Sequence, residues 1–279
     1  MMFKTIIVHV SPVSGMPATF AAAASLAKSH GAHLVGTAVS GLAEMAELMA
    51  SSAAVAVMPA FDIESLRKDA QGYLDAFQRQ CENAAVPSCE TRLLDTSAID
   101  ALMLQSRYCD LLVAGNQDVV EENLFASARL PGHLVTRCVR PVLLVPPTYQ
   151  AKDSFSKIMI AWNGSAGASR ALAFALPLLL RAAQLTIVVC NPANERIDMG
   201  AEPGADLSTY LARHHRNVQL LRIDTEQDVS AALCEIAQER HFDLVVAGAY
   251  GHSRLHDWVV GSTTGALIEQ CPVPLLMSQ

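Results

Sequence analysis

Residues 243–262 read DLVVAGAYGHSRLHDWVVGS. Asp243 to Ala247 is a short apolar, β-branched run of the kind a fully buried strand needs, and Gly248 ends it. The same pattern stands earlier in the chain, where Asp110 to Gly115 read DLLVAG. Two copies of one strand suggest that the chain is a single α/β unit written twice.

The flanking stretches agree. Lys4 to Val10 is strand-like, Pro12 to Gly15 make a turn, and Met16 to His30 is an Ala-rich helical pattern closed by Gly31. A second strand runs from His33 to Val39. Lys157 to Trp162 repeats the opening, followed by Asn163-Gly164-Ser165, a helix to Arg181 and a strand from Leu185 to Cys190. Pro177 should kink or shorten that helix. Laid side by side without a gap, Ile6 matches Ile158 and Val35 matches Ile187. Each half then supplies a third strand (Cys89 to Leu94; Val218 to Ile223), a third helix (Ala98 to Arg107; Val229 to Arg240) and a last strand ending at Val145 or Met277. Short apolar strands alternating with helices specify a five-stranded parallel sheet in each half, with helices on both faces. Pro146 to Ser154 has linker composition, which sets the domains at 1–147 and 155–279. The ungapped alignment leaves 23 extra residues in the first half, an insertion at about 41–83. Met45, Met49 and Met58 lie in it; an extra helix on the core and an adaptable Met-rich docking surface are both open readings.

Beyond Gly248 the second copy carries Gly251, then nine residues, then Gly261-Ser262, with Thr263 and Thr264 entering a helical pattern. Glycines admit an anion close to backbone N–H groups, and a helix start adds unpaired donors and a favourable dipole. This spacing resembles the ATP-binding signature of the universal stress proteins. The resemblance implies two tandem Rossmann-like domains of the adenine nucleotide α-hydrolase-like group, meeting as an intrachain pseudo-dimer through their last strands. It also implies a regulatory or protective module that holds ATP or AMP, with or without magnesium. Ala161 and Cys190 would line the base, Asn163 would reach the base or ribose, and Ala247 and Gly248 would cover the sugar. Gly251, Gly261, Ser262, Thr263 and Thr264 would hold the phosphates. Asn163 stands where the commoner family pattern has aspartate; asparagine donates and accepts but brings no negative charge.

At the corresponding positions the first half has Asp118, Ala128, Arg129, Leu130 and Pro131. A carboxylate repels phosphate and proline offers no N–H, so this half is expected to be a degenerate partner without nucleotide.

Composition narrows the alternatives. The net charge of −7 divides evenly between the halves, and no basic stripe suits nucleic acid. The seven cysteines lack a Cys-x-x-Cys pair and read as small buried residues of a reducing compartment. With no signal-peptide layout and no run long enough to span a membrane, a cytoplasmic protein is expected. His252 and His256 have metal-ligand spacing but no third ligand nearby, so no metal site is assigned. No Gly-x4-Gly-Lys phosphate loop is present. No catalytic residue is assigned; Asp257 and His252 are weak candidates for a general base, so slow ATP hydrolysis is the most that is expected. An adenylyl-transfer enzyme would rely on Arg254, the basic residue between Gly251 and Gly261. A scaffold that binds a protein partner without nucleotide, and a homodimer, also remain open.

Overall fold

In the computed structural model the described residues are 2–12, 16–43, 46, 63–116, 130–194, 199–214, 217–249 and 262–279. Strand β1 (Thr5–His9) leads to helix α1 (Met16–His30) and β2 (His33–Val39). Then come α2 (Ile63–Asn83), β3 (Ser88–Leu94), α3 (Ala98–Ser106), β4 (Leu111–Gly115), α4 (Leu130–Arg137) and β5 (Val142–Val145). The second half follows with β6 (Lys157–Ala161), α5 (Ala166–Leu179), β7 (Gln184–Cys190), α6 (Ala205–Ala212), β8 (Val218–Ile223), α7 (Val229–Glu239), β9 (Leu244–Gly248), α8 (Ser262–Gln270) and β10 (Leu275–Ser278). This is the α/β architecture the alternating pattern predicts.

The ten strands form one sheet in the order β3-β2-β1-β4-β5-β10-β9-β6-β7-β8. Pairing is parallel within each half, and the halves join where β5 meets β10 antiparallel, with Leu144 opposite Leu275 and Val142 opposite Met277. All eight residues of these two strands are buried. As separate units the halves would each expose an apolar edge; joined, they leave β3 and β8 as the outer edges. Because side chains alternate across a strand, the sheet separates two apolar layers. One is covered by α1, α2, α5 and α6 through residues such as Ala23, Phe77, Leu179 and Leu211. The other lies under α3, α4, α7 and α8 through Leu102, Leu134, Leu233 and Leu267. Both layers run across the junction.

An aspartate opens the fourth strand of each half for the same reason. Asp110 Oδ2 accepts from the backbone N–H groups of Lys4 (2.6 Å) and Thr5 (3.0 Å). Asp243 Oδ2 accepts from Ser156 (2.9 Å) and Lys157 (2.8 Å). Each carboxylate thereby ties the start of its half's first strand to the centre of the sheet. Asp243 is also ion-paired with Lys152 of the connecting segment, and Ser25 Oγ of α1 donates to the Lys152 carbonyl at 2.6 Å.

Two details of the repeat differ from the sequence alignment. In the first half Ile6 pairs with Leu34, whereas in the second Ile158 pairs with Leu185. Val35 therefore corresponds to Thr186, not Ile187; indeed Val35 and Ile187 belong to opposite layers. Part of the cause is Pro177. It has no N–H and crowds the preceding turn, and α5 stops at Leu179, two residues later. The insertion is accordingly one residue smaller: Val39 and Leu94 are 55 positions apart, their counterparts Cys190 and Ile223 are 33 apart, an excess of 22. Much of that excess is helix, since α2 has 21 residues and its counterpart α6 has 8. Phe77 of α2 lies on Gly36 of β2, where a Cβ would come within 2.5 Å of the ring. The described part of the insertion is thus an extra length of helix packed on the core. Met45, Met49 and Met58 lie outside the described residues.

Candidate functional site

In the second half the chain runs from β6 outward to β7 and β8, then returns to the other side of β6 as β9. The reversal places a crevice at the carboxyl ends of β6 and β9, the position where open α/β sheets take ligands. Ala161 ends β6 and stands opposite both Ala247 of β9 and Val188 of β7. Cys190, two residues beyond Val188, ends β7 and is 7% exposed. Ala161, Cys190 and Ala247 all pack on the layer under α7 and α8. Three of the residues singled out in the sequence are therefore neighbours on one face at the switch point, and all are small.

The loop after β6 is a built turn. Asn163 Oδ1 accepts from the Ser165 N–H at 3.2 Å, Gly164 adopts φ +73°, and Ser165 Oγ caps α5 by accepting from the Ala168 N–H at 3.1 Å. This is the asparagine turn and serine N-cap that the residue types favour. With Oδ1 committed to the turn, the half-buried Asn163 has its Nδ2 donor to offer.

Gly248 has a packing role as well. A Cβ built there would lie 2.2 Å from the amide nitrogen of Ala168, so the absence of a side chain lets α5 rest directly on the end of β9. Gly167 is the reciprocal contact, where a Cβ would meet the Ala249 carbonyl oxygen at 2.9 Å. Ser262, Thr263 and Thr264 form the first turn of α8, with Thr263 half-buried and Thr264 7% exposed. Gly251 and Gly261 lie outside the described residues, as do His252, Arg254, His256, Asp257, Asp118, Ala128 and Arg129.

Sequence reasoning missed Asn191. It follows Cys190 at φ +45°, its Nδ2 donates to the Thr225 carbonyl at 3.0 Å, and its Oδ1 accepts from the Thr225 N–H at 2.7 Å. These bonds lock together the loops after β7 and β8 beside the crevice. An asparagine directly before Pro192 was the available signal.

The first half presents a different face. The counterpart of Ala161 is His9, paired with Thr37 as Ala161 is with Val188. Burial pulls the His9 pKa down to about 4. Nearby, Gln105 Oε1 accepts from Thr37 Oγ1 (3.0 Å) and Arg92 Nη1 (3.1 Å). An imidazole and a hydroxyl thus occupy positions that carry methyl and isopropyl groups in the second half. Leu130 and Pro131 open α4, with Pro131 buried.

Among the described residues no group of three or more His, Cys, Asp or Glu side chains is placed to hold a metal. No described helix is long and apolar enough to cross a membrane.

Residues 154–279 match the universal stress protein family model. This half of the chain is thus similar to the universal stress protein family. A universal stress protein of Synechocystis is 28% identical over 172 residues, covering 60% of this chain; the match spans 57% of that relative's length. A universal stress protein from Archaeoglobus fulgidus superposes with a TM-score of 0.73 at 13% identity, covering 99% of this chain and 96% of its own. A protein of unknown function from Pseudomonas aeruginosa PAO1 gives 0.57 at 14% identity, with 98% and 92% covered. At these identities the structural likeness is one of fold, and it extends over both halves of the stress-protein chain.

Proposed function

We propose that this chain is a universal stress protein, a nucleotide-binding regulatory or protective module that holds one adenine nucleotide, ATP or AMP, in its second half. The observation that carries the reading is the registered pair Ala161 and Ala247, two methyl-bearing residues side by side at the switch point. They leave room for a flat base where the first half places the half-buried imidazole of His9. Cys190 would complete the wall, and Asn163 Nδ2 would donate to the base or ribose. Gly248 would face the sugar by its backbone. Gly251, Gly261, Ser262, Thr263 and Thr264 would supply backbone and hydroxyl donors to the phosphates at the start of α8, where the helix dipole favours negative charge. The first half would be the degenerate partner that holds β10 in place. No residue is assigned a catalytic role, and hydrolysis would be slow at most.

The test is the nucleotide content of protein purified without added ligand, released by denaturation and separated by chromatography. Gly261→Asp is the variant to run beside it, because Gly248→Ala would also disturb packing on α5. About one ATP or AMP per chain, lost in the variant, is the expected result. Two per chain would refute the degenerate first half. None, with no binding on titration, would refute the site and leave a scaffold that binds protein alone.

A further inference from the structure

Four of the seven cysteines stand in hydrogen-bonded pairs, Cys81 with Cys89 and Cys234 with Cys271. The closest approach for which a distance is fixed is in the first half, where Cys81 Sγ and Cys89 Sγ are 2.9 Å apart. Both thiols are free. Cys81 is in the last full turn of α2 and 2% exposed, and Cys89 is the second residue of the edge strand β3 and half-buried.

The chain between them is held in a defined turn. Ala84 N–H donates to the Gln80 carbonyl (2.9 Å), Ala85 to Glu82 (3.0 Å) and Val86 to Cys81 itself (3.0 Å). Ala85 takes φ +50°, the left-handed conformation that reverses a chain after a helix. The two sulfurs are therefore brought together by a turn with three backbone hydrogen bonds and by the packing of α2 on the sheet.

We propose that Cys81 and Cys89 form a peroxide-sensitive dithiol, with Cys89 the thiol oxidised first and Cys81 the resolving thiol. The Cys89 thiolate attacks hydrogen peroxide; the O–O bond breaks, Cys89 becomes a sulfenic acid, and hydroxide leaves and takes a proton as water. Cys81 then attacks the Cys89 sulfur, the S–O bond breaks, and a second water departs as the disulfide closes. Overall, two thiols and one peroxide give one disulfide and two waters. The assignment of roles follows exposure, since peroxide reaches the edge strand before the helix interior. It also follows charge. The hydrogen bond shared by the two sulfurs holds the Cys89 thiol below its ordinary value, against burial and the nearby Glu82 and Glu90, and holds Cys81 well above its own. Closure would staple the end of α2 to β3, fixing the segment by which the first half exceeds the second.

The test uses the full chain, because Arg79 and Arg92 are the tryptic sites on either side and both cysteines fall in the one peptide 80–92. Cys234 and Cys271 fall on separate tryptic peptides. After brief hydrogen peroxide treatment, denaturation, alkylation and digestion, peptide 80–92 should lose two hydrogens and take no alkyl group; dithiothreitol should restore both thiols. In Cys81→Ser, Cys89 should accumulate as a sulfenic acid that dimedone traps, and then over-oxidise. The proposal is overturned if peptide 80–92 stays fully alkylatable at doses that oxidise other cysteines. It is equally overturned if Cys89 over-oxidises in the wild-type chain as readily as in Cys81→Ser.

Discussion

The α-carbon of Gly248 sits so close to the amide nitrogen of Ala168 that a methyl group added to it would lie 2.2 Å away. The obstacle is backbone on both sides, from Gly167 and Ala168 at the start of α5, so no side chain can rotate aside. Gly115, the first-half counterpart, has its nearest neighbour for such a methyl at 3.7 Å, the hydroxyl of Thr19. Gly248→Ala should therefore destabilise by about 2–4 kcal/mol, in the upper range for overpacking, whereas Gly115→Ala should be neutral or stabilising by up to about 1 kcal/mol. Urea midpoints of the two variants decide the matter. Equal effects would mean that the α5 contact is looser than described.

A second close approach is open to compensation. A Cβ on Gly36 would meet the Phe77 ring at 2.5 Å, but here the neighbour is a side chain that can be made smaller. Gly36→Ala and Phe77→Leu should each destabilise by about 1–3 kcal/mol, the first by overpacking and the second by leaving space. Together they should cost less than the sum, with a coupling of about 1 kcal/mol. Strict additivity would show that Phe77 does not hold α2 on β2 through this contact.

Asp243 and Asp110 offer a comparison of one role in two settings. Each accepts two backbone N–H bonds from its half's first strand, but Asp243 is 8% exposed and also faces Lys152. Truncating it leaves two part-buried donors unpaired, so Asp243→Ala should lower stability by about 2–3 kcal/mol. Asp110→Ala should be milder, at about 1–2 kcal/mol, because Asp110 itself is only half-buried and its bond to Lys4 is exposed. Lys152→Met should change little, since the lysine end of that pair is half exposed. Thermal unfolding of the three variants at pH 7.5 gives the ranking.

The duplication was legible because it rests on local features. An aspartate opens each DLLVAG-type strand, the strands are continuous apolar runs, and Ser165 and Gly31 mark helix ends. Register was not legible, because it depends on where α5 stops after Pro177, and a one-residue slip moves Val35 or Ile187 to the other face of the sheet. Helix α6 escaped notice because eight residues with Leu207 and Leu211 as the buried pair give too little periodicity. Of the candidate site, Ala161, Cys190 and Ala247 could be placed together because strand ends converge at the switch point. The packing role of Gly248 could not, since a glycine that admits a ligand and one that admits a helix look alike in sequence. The Cys81–Cys89 approach crosses from helix to strand, and no simple spacing encodes it.

Two histidines give the fold an acid limit. His30 is 1% exposed; its Nδ1 accepts from the Phe3 N–H at 3.3 Å, and its ring lies 4.9 Å from that of Phe3. Burial first, then the charges of Arg181 and Lys4, pull its pKa down to about 4, where burial also puts His9. In the unfolded chain both imidazoles titrate near 6.5. Between about pH 6.5 and pH 4 the unfolded state therefore binds protons that the folded state refuses, and stability rises with pH across that window. The contribution is complete above the unfolded value and is lost as pH falls, by about 3 kcal/mol for His30 at the acid end. Urea midpoints at pH 7.5, 6.0 and 5.0 should fall in step, above the range where most carboxylates titrate. His30→Gln should be less stable at pH 7.5 but lose about half as much on acidification. An unchanged slope in that variant would place the acid sensitivity elsewhere.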